Sequence, residues 1–155
     1  MATPGKVPTV LITGCSQGGL GAALAEAFAR HGFHVLATLR DPAKAPELPS
    51  SGPDAGHIEV LPMDVTDEAS IASCAATVAK KTDGRLDILV NNAGGMFVMP
   101  LLDTDLAESK KLFDVNVWGM LAVTQAFAPM LVRSQGVVLN IASIAGAVRM
   151  AWQGE

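Results

Sequence analysis

The stretch "PTVLITGCSQGGLGAALAEAFARH", residues 8 to 31, decides the fold. It opens with a short apolar, β-branched run that is stopped by glycine, and from Leu20 to His31 apolar side chains recur at helical spacing until Gly32. The order is strand, glycine turn, helix. Glycines at Gly14, Gly18, Gly19 and Gly21 let the backbone turn tightly and come close to a pyrophosphate, which then meets the free N–H groups of the helix start. A glycine cluster alone marks only a turn that wants small residues. Its position between a buried strand and an amphipathic helix points to a bound dinucleotide.

The alternation continues along the chain. "FHVLAT" (33–38) is a second strand, and "DPAKAPELPSSGPDAG" (41–56) is a Pro/Gly/Ser-rich loop holding at most a short helix, the segment most expected to be disordered. "HIEVLPMDV" (57–65) predicts a third strand, "TDEASIASCAATVAKK" (66–81) a helix capped by Thr66 or Asp67, and "LDILV" (86–90) a fourth strand. A long helix is drawn from Asp103 to about Val132, followed by Gly136 and a fifth strand, "VVLNIA" (137–142). Apolar runs without alternation are buried on both faces, and strands separated by helices are parallel with right-handed crossovers. The expected fold class is α/β, a doubly wound parallel sheet in a single domain over residues 1–155.

Composition removes several function classes. The chain has 155 residues, half of them apolar and 17% charged, with 11 basic and 15 acidic residues and a net charge of −4. No basic cluster offers an electrostatic footprint for nucleic acid or an anionic membrane. Two cysteines and three scattered histidines make neither a disulfide framework nor a metal set, so no metal is expected and both thiols are read as reduced. The apolar run near the N-terminus is too short for a signal-peptide core, and no stretch reaches the roughly 18 uninterrupted apolar residues of a membrane span. A cytoplasmic, soluble protein is the expectation.

Five motifs, in order, resemble the short-chain dehydrogenase/reductase family. "TGCSQGGLG" (13–21) resembles the family's cofactor turn, with Ser16 and Leu20 beside the glycines; its "GGLG" is similar to fungal acyl-dihydroxyacetone-phosphate reductase-like members. "MDVT" (63–66) resembles the segment whose aspartate, here Asp64, contacts adenine. "NNAG" (91–94) resembles a structural and cofactor-contacting motif, Asn92 being the expected contact. "DVNVWG" (114–119) and "NIASIAG" (140–146) place Asn116 and Ser143 where the family keeps its catalytic-site asparagine and serine. Taken singly, each has a plainer interpretation: the asparagines at 91 and 92 shape a turn, Asn116 bends a helix, Ser143 is a surface serine. Their common order argues against five accidents.

The resemblance implies a Rossmann fold with strand order 3-2-1-4-5 and a nicotinamide cofactor. NAD-preferring members place an acid at the end of the second strand, whereas "LATLRD" brings Thr38 and then Arg40, as in NADP-preferring, 17β-hydroxysteroid dehydrogenase-like members. A guanidinium suits a 2′-phosphate, so NADP is expected over NAD. Asp41 argues mildly against this, by neutralising Arg40 or by capping the following turn.

In the family a catalytic tyrosine follows the serine by about thirteen residues, with a lysine four beyond. From Ser143 that falls one position past Glu155, and the chain contains no tyrosine. The resemblance therefore implies a sheet incomplete on its C-terminal side and truncated before the YxxxK motif. It implies an oxidoreductase acting on a carbonyl or secondary alcohol of an apolar small molecule, or an inactive relative that binds nucleotide or pairs with a homologue. With no further strand beside it, the fifth strand becomes an apolar edge, and side chains of the fourth and fifth strands are expected to face water.

Overall fold

The computed structural model describes residues 7–45 and 56–148. Five parallel strands form one sheet: β1 Thr9–Thr13, β2 His34–Leu39, β3 Ile58–Pro62, β4 Ile88–Asn91 and β5 Val137–Asn140, in the order β3-β2-β1-β4-β5. Four helices cross between them: α1 Leu20–Arg30, α2 Glu68–Lys81, α3 Leu106–Phe113 and α4 Met120–Ser134. β1 is the spine. Its register runs from Thr9 beside His34 to Thr13 beside Thr38 on one side, and from Val10 beside Ile88 to Ile12 beside Val90 on the other.

Alternation along the strands divides the core in two. Val10, Ile12, Val35, Ala37 and Val90 pack under α1 against Ala25 and Ala29. Leu11, Leu36, Leu61 and Leu89 point the opposite way, against Ile71 and Val78 of α2 and Val123, Phe127 and Leu131 of α4. Helices on both faces bury both sides of the central strands, which is why they are mainly apolar, with the few buried polar side chains, Thr9, Thr13, Thr38 and Asn91, at or next to strand ends. Strands leave β1 in both directions, so the carboxyl ends of β1 and β4 part, and a crevice opens there.

Local chemistry sets the helix starts. Asp67, rather than Thr66, caps α2, its carboxylate accepting from the Ala69 N–H at 3.0 Å. Asp105 caps α3 by accepting from both Ala107 and Glu108. The long helix drawn from Asp103 is present but starts at Leu106, after a 3₁₀ turn at Leu101–Asp103 and the Asp105 cap, and runs to Ser134 with a π-helical segment, Asp114–Gly119, between α3 and α4. Gly119 ends that segment against the loop after β3, where a Cβ would stand 2.7 Å from the Val65 carbonyl oxygen. By length and composition the whole run Leu106–Ser134 would pass as a membrane-crossing helix, which a count of uninterrupted apolar residues does not reveal. In this fold its inward residues Val123, Phe127, Met130 and Leu131 are buried in the core with Leu86 and Leu89.

β5 is exposed at all four positions. β4 is not: Leu89 and Val90 are 0% and 1% exposed, because α4 covers one face and the α1 cluster the other. The expected exposure of apolar surface is thus confined to the fifth strand. Of the Pro/Gly/Ser-rich stretch, a 3₁₀ turn at Pro42–Lys44 is in place, while 46–55 and the expectation of disorder there fall outside the described residues.

Candidate active site

Two adjoining cavities lie over the carboxyl ends of β1, β2, β3 and β4. The first, about 460 Å³, is lined by Gly14, Ser16, Gly19, Leu20, Arg40, Asp64 and Asn92, with Leu39, Met63, Val65, Ala93, Gly94, Gly95 and Val115 completing the wall. The second, about 450 Å³, is lined by Asn116 and Ser143 with Asn91, Met96, Met120, Ile141 and Ala142, and shares the wall from Asn92 to Gly95 with the first. A groove of this size, continuous past one shared wall, has room for a ligand with two ends. Of the residues nominated from sequence, Gly18, Gly21 and Thr38 do not line either cavity.

Thr38 and Gly21 have another part. Thr38 is buried, its hydroxyl donating to the Ile12 carbonyl at 3.1 Å, so it joins β2 to β1 rather than facing a ribose. Gly21 is needed for closeness: a Cβ would stand 2.6 Å from both the Gly14 carbonyl oxygen and Asn92 Nδ2. Gly14 combines a positive φ of 74° with a Cβ position 2.8 Å from Ala93 Cα, so the turn and the β4 loop touch backbone to backbone. α1 starts at Leu20 after Gly19, with no side-chain cap bond, leaving its first N–H groups to an anion.

A residue not nominated from sequence holds this arrangement together. Thr13, 1% exposed, accepts at its hydroxyl from the Asn92 N–H at 3.0 Å and the Ala93 N–H at 2.9 Å. It thereby spans the crevice between β1 and β4. Its sequence signal is a hydroxyl residue placed as the last of a strand that is apolar from Val10 to Ile12, directly before the first glycine. Asn92 closes the loop from the other side, Nδ2 donating to the Thr13 carbonyl at 2.8 Å and to the Gly14 carbonyl at 3.2 Å. Asn91 faces inward and donates to Thr124 Oγ1 on α4 and to Asn140 Oδ1 on β5.

At the far wall of the first cavity Arg40 and Asp64 face one another. Burial works to raise the Asp64 carboxyl, but hydrogen bonds from the Thr66 backbone and hydroxyl, and the charge of Arg40, outweigh it and hold it below the usual carboxylate value. Asp41 caps the 3₁₀ turn, accepting from the Ala43 N–H at 3.0 Å. The turn is tied to the glycine loop through the bond from Gln17 N–H to the Lys44 carbonyl at 3.0 Å.

In the second cavity Asn116 belongs to the π-helical segment, a form that recurs at functional sites. It exchanges two hydrogen bonds with Gly95, each 2.9 Å. Ser143 accepts from the Ala145 N–H at 3.1 Å and caps a 3₁₀ turn, Ile144–Gly146. His31, His34 and His57 sit at the opposite end of the sheet, at the close of α1 and the beginnings of β2 and β3. Cys15 lies under the glycine turn, and burial, opposed by a backbone bond from Thr38, pushes its thiol up to about 12.

The sequence model of the family described as short chain dehydrogenase matches residues 8–154. The chain is 52% identical over 146 residues to the short-chain dehydrogenase cctT of Talaromyces islandicus, covering 94% of this chain and 50% of that protein. It is 40% identical over 143 residues to the NADPH-dependent 1-acyldihydroxyacetone phosphate reductase of Schizosaccharomyces pombe, covering 92% and 47%. It thus spans about half the length of the curated relatives it matches. Among solved structures it is similar to an alcohol dehydrogenase from the archaeon Thermococcus sibiricus complexed with 5-hydroxy-NADP, with TM-score 0.86 and 26% identity over 96% of this chain and 63% of that one. A metagenomic short-chain oxidoreductase in complex with NADP gives TM-score 0.80 and 35% identity over 93% and 66%. Sequence, strand order and glycine-loop geometry agree, and the chain belongs to the short-chain dehydrogenase family.

Proposed function

We propose that this chain is the nucleotide-binding part of an oxidoreductase that uses NADP in preference to NAD and acts on a carbonyl or secondary alcohol of an apolar small molecule. The observation that carries the proposal is Arg40 on the cavity wall, with the neighbouring acid Asp41 engaged by the backbone of Ala43. A guanidinium so placed pairs more strongly with a 2′-phosphate than with a plain ribose diol. The names of the Schizosaccharomyces pombe relative and of two NADP-bound structural neighbours support the same choice.

The residues present fit a dinucleotide, since Gly14, Ser16, Gly19 and Leu20 line the first cavity where α1 begins without a side-chain cap. When bound, NADPH supplies a hydride. The chain's own contribution is to hold and orient. The uncapped N–H groups at the start of α1 take the pyrophosphate, Asp64 and Val65 flank the adenine end, and Asn92 keeps the loop in shape. Ser143 and Asn116 orient the substrate oxygen, against the apolar side chains of Met96, Met120 and Ile141. The two buried, free cysteines fit a reducing cytoplasm.

The test is calorimetric titration of NADPH and NADH into the wild type and Arg40→Ala. Charge-assisted bonds to phosphate contribute about 1.5–3 kcal/mol, so the variant loses on the order of tenfold or more in NADPH affinity and little for NADH. Equal losses for both overturn the preference.

A second interpretation has its own observation: the chain contains no tyrosine, and among the described residues the second cavity is lined by no carboxyl, imidazole, ammonium or phenol group. On that interpretation it is a catalytically silent member that binds nucleotide or pairs with a second copy or a longer homologue through the exposed β5. Steady-state carbonyl reduction that persists after host reductases are removed, and is lost in Ser143→Ala, would exclude it.

A further inference from the structure

At the end of the sheet away from both cavities, four titratable side chains from three parts of the chain meet beside the edge strand. His34 opens β2, His57 directly precedes β3, Glu59 is in β3, and Lys81 is the last residue of α2. The rings of His34 and His57 are 5.8 Å apart between centroids, and Lys81 Nζ is 2.7 Å from Glu59 Oε1. His34 Nε2 is shut off from solvent with no hydrogen-bond partner among the described residues, standing 3.7 Å from Glu59 Oε2. Glu59 already has its countercharge in Lys81. The corner therefore suits a neutral imidazole and not a second or third cation. Burial first, then His57 and Lys81, hold His34 below its ordinary value, with Glu59 pulling the other way.

β3 is poorly placed to resist a disturbance here. Among the described residues it is bonded along one edge only, to β2, and at this corner the backbone ties are the bonds from Val35 N–H to the His57 carbonyl and from Gly56 N–H to the Ala29 carbonyl, each 2.7 Å. Its other end runs straight into Met63, Asp64 and Val65 on the wall of the first cavity. We propose that His34 and His57 form an acid-sensitive latch on the edge strand. Neutral, they let the corner close. Protonated, two imidazolium ions and an ammonium crowd one carboxylate, β3 is released from β2, and the adenine-side wall loosens with it. The latch stands on the charge cluster and the strand, whichever nucleotide the cavity prefers.

Hydrogen exchange on the whole chain without nucleotide tests it, read as protection relative to intrinsic rates at about pH 7.5 and about pH 5.5, the range in which histidine titrates. In the wild type the amides of β3, and those of Met63 and Asp64, lose about tenfold or more protection at the lower pH while β1 holds. In His34→Gln/His57→Gln that loss is abolished. His57 is exposed, so His57→Gln alone preserves the fold and serves if the double variant does not, and it at least halves the effect. A loss equal in β1 and β3, or a β3 loss undiminished in His57→Gln, overturns the proposal.

Discussion

Asn116 and Gly95 hold each other by two hydrogen bonds: the Gly95 N–H donates to Asn116 Oδ1 and Asn116 Nδ2 donates to the Gly95 carbonyl, both at 2.9 Å. One side chain of the π-helical segment thus satisfies both polar groups of a loop residue on the wall common to the two cavities. Asn116→Ala removes both bonds, and at about 0.5–1.5 kcal/mol each for a solvent-accessible pair the expected cost is about 1–2 kcal/mol. Urea denaturation of the two proteins checks it, with unchanged midpoints as the contrary result.

Two glycines of the same loop, both with positive φ, are expected to respond differently to alanine. At Gly18, with φ 75° and nothing within 4 Å of a Cβ, Gly18→Ala meets only backbone strain, about 1–2 kcal/mol. At Gly14 the same strain is joined by a collision with Ala93, so Gly14→Ala lowers the melting temperature further and abolishes nucleotide binding. Parallel thermal melts give the order, and equal shifts would contradict it.

Thr13→Val keeps shape and removes the acceptor for two amide N–H groups. Leaving a donor unsatisfied costs about 1–3 kcal/mol when it is buried, and these two are part-buried, so the pair costs about 1–3 kcal/mol, while Thr13→Ser keeps the oxygen and most of the stability. If the valine and serine variants unfold at the same urea concentration, the hydroxyl is not what joins β1 to β4.

The His34 value gives stability a direction with pH. Its folded value lies below the ordinary 6.5, so the unfolded chain binds more protons wherever the two differ, and stability rises with pH through that window. The contribution is complete above pH 6.5 and is lost as pH falls from there toward the folded value. Denaturation midpoints that decline on acidification in the wild type and decline less in His34→Gln are the expected result; a steeper decline in the variant would reverse the sign.

Burial pushes the Cys15 thiol up to about 12 and the Cys74 thiol to about 11. Since the thiolate is the reactive form, neither is labelled by a disulfide reagent near neutral pH until the chain unfolds. Native-state labelling at Cys15 as fast as in denaturant would show that the glycine turn opens.

Much of this was legible from residue order. Each strand is a short apolar run and each crossover an amphipathic or capped segment, so five parallel strands and the glycine turn followed from local pattern. Most nominated cofactor residues line one cavity for the same reason, because they end strands or begin helices. Thr38 went astray because a hydroxyl at a strand end looks alike whether it meets a ribose or the next strand's carbonyl. The π-helical segment left no mark: "DVNVWG" has ordinary helical spacing, and Gly119 at its end lies against Val65, a contact between segments far apart in sequence. The burial of β4 was likewise a tertiary fact, decided by where α4 lies.

The bridge that Thr13 makes from β1 to the β4 loop fixes the width of the crevice before any ligand arrives. A site closed by a lid or hinge must order itself on each encounter, and that cost is subtracted from every binding event. Here the ordering was completed when the chain folded. The glycine-loop end of the groove is preorganised, so changes that loosen this bridge should appear as weaker binding even where no ligand contact is lost.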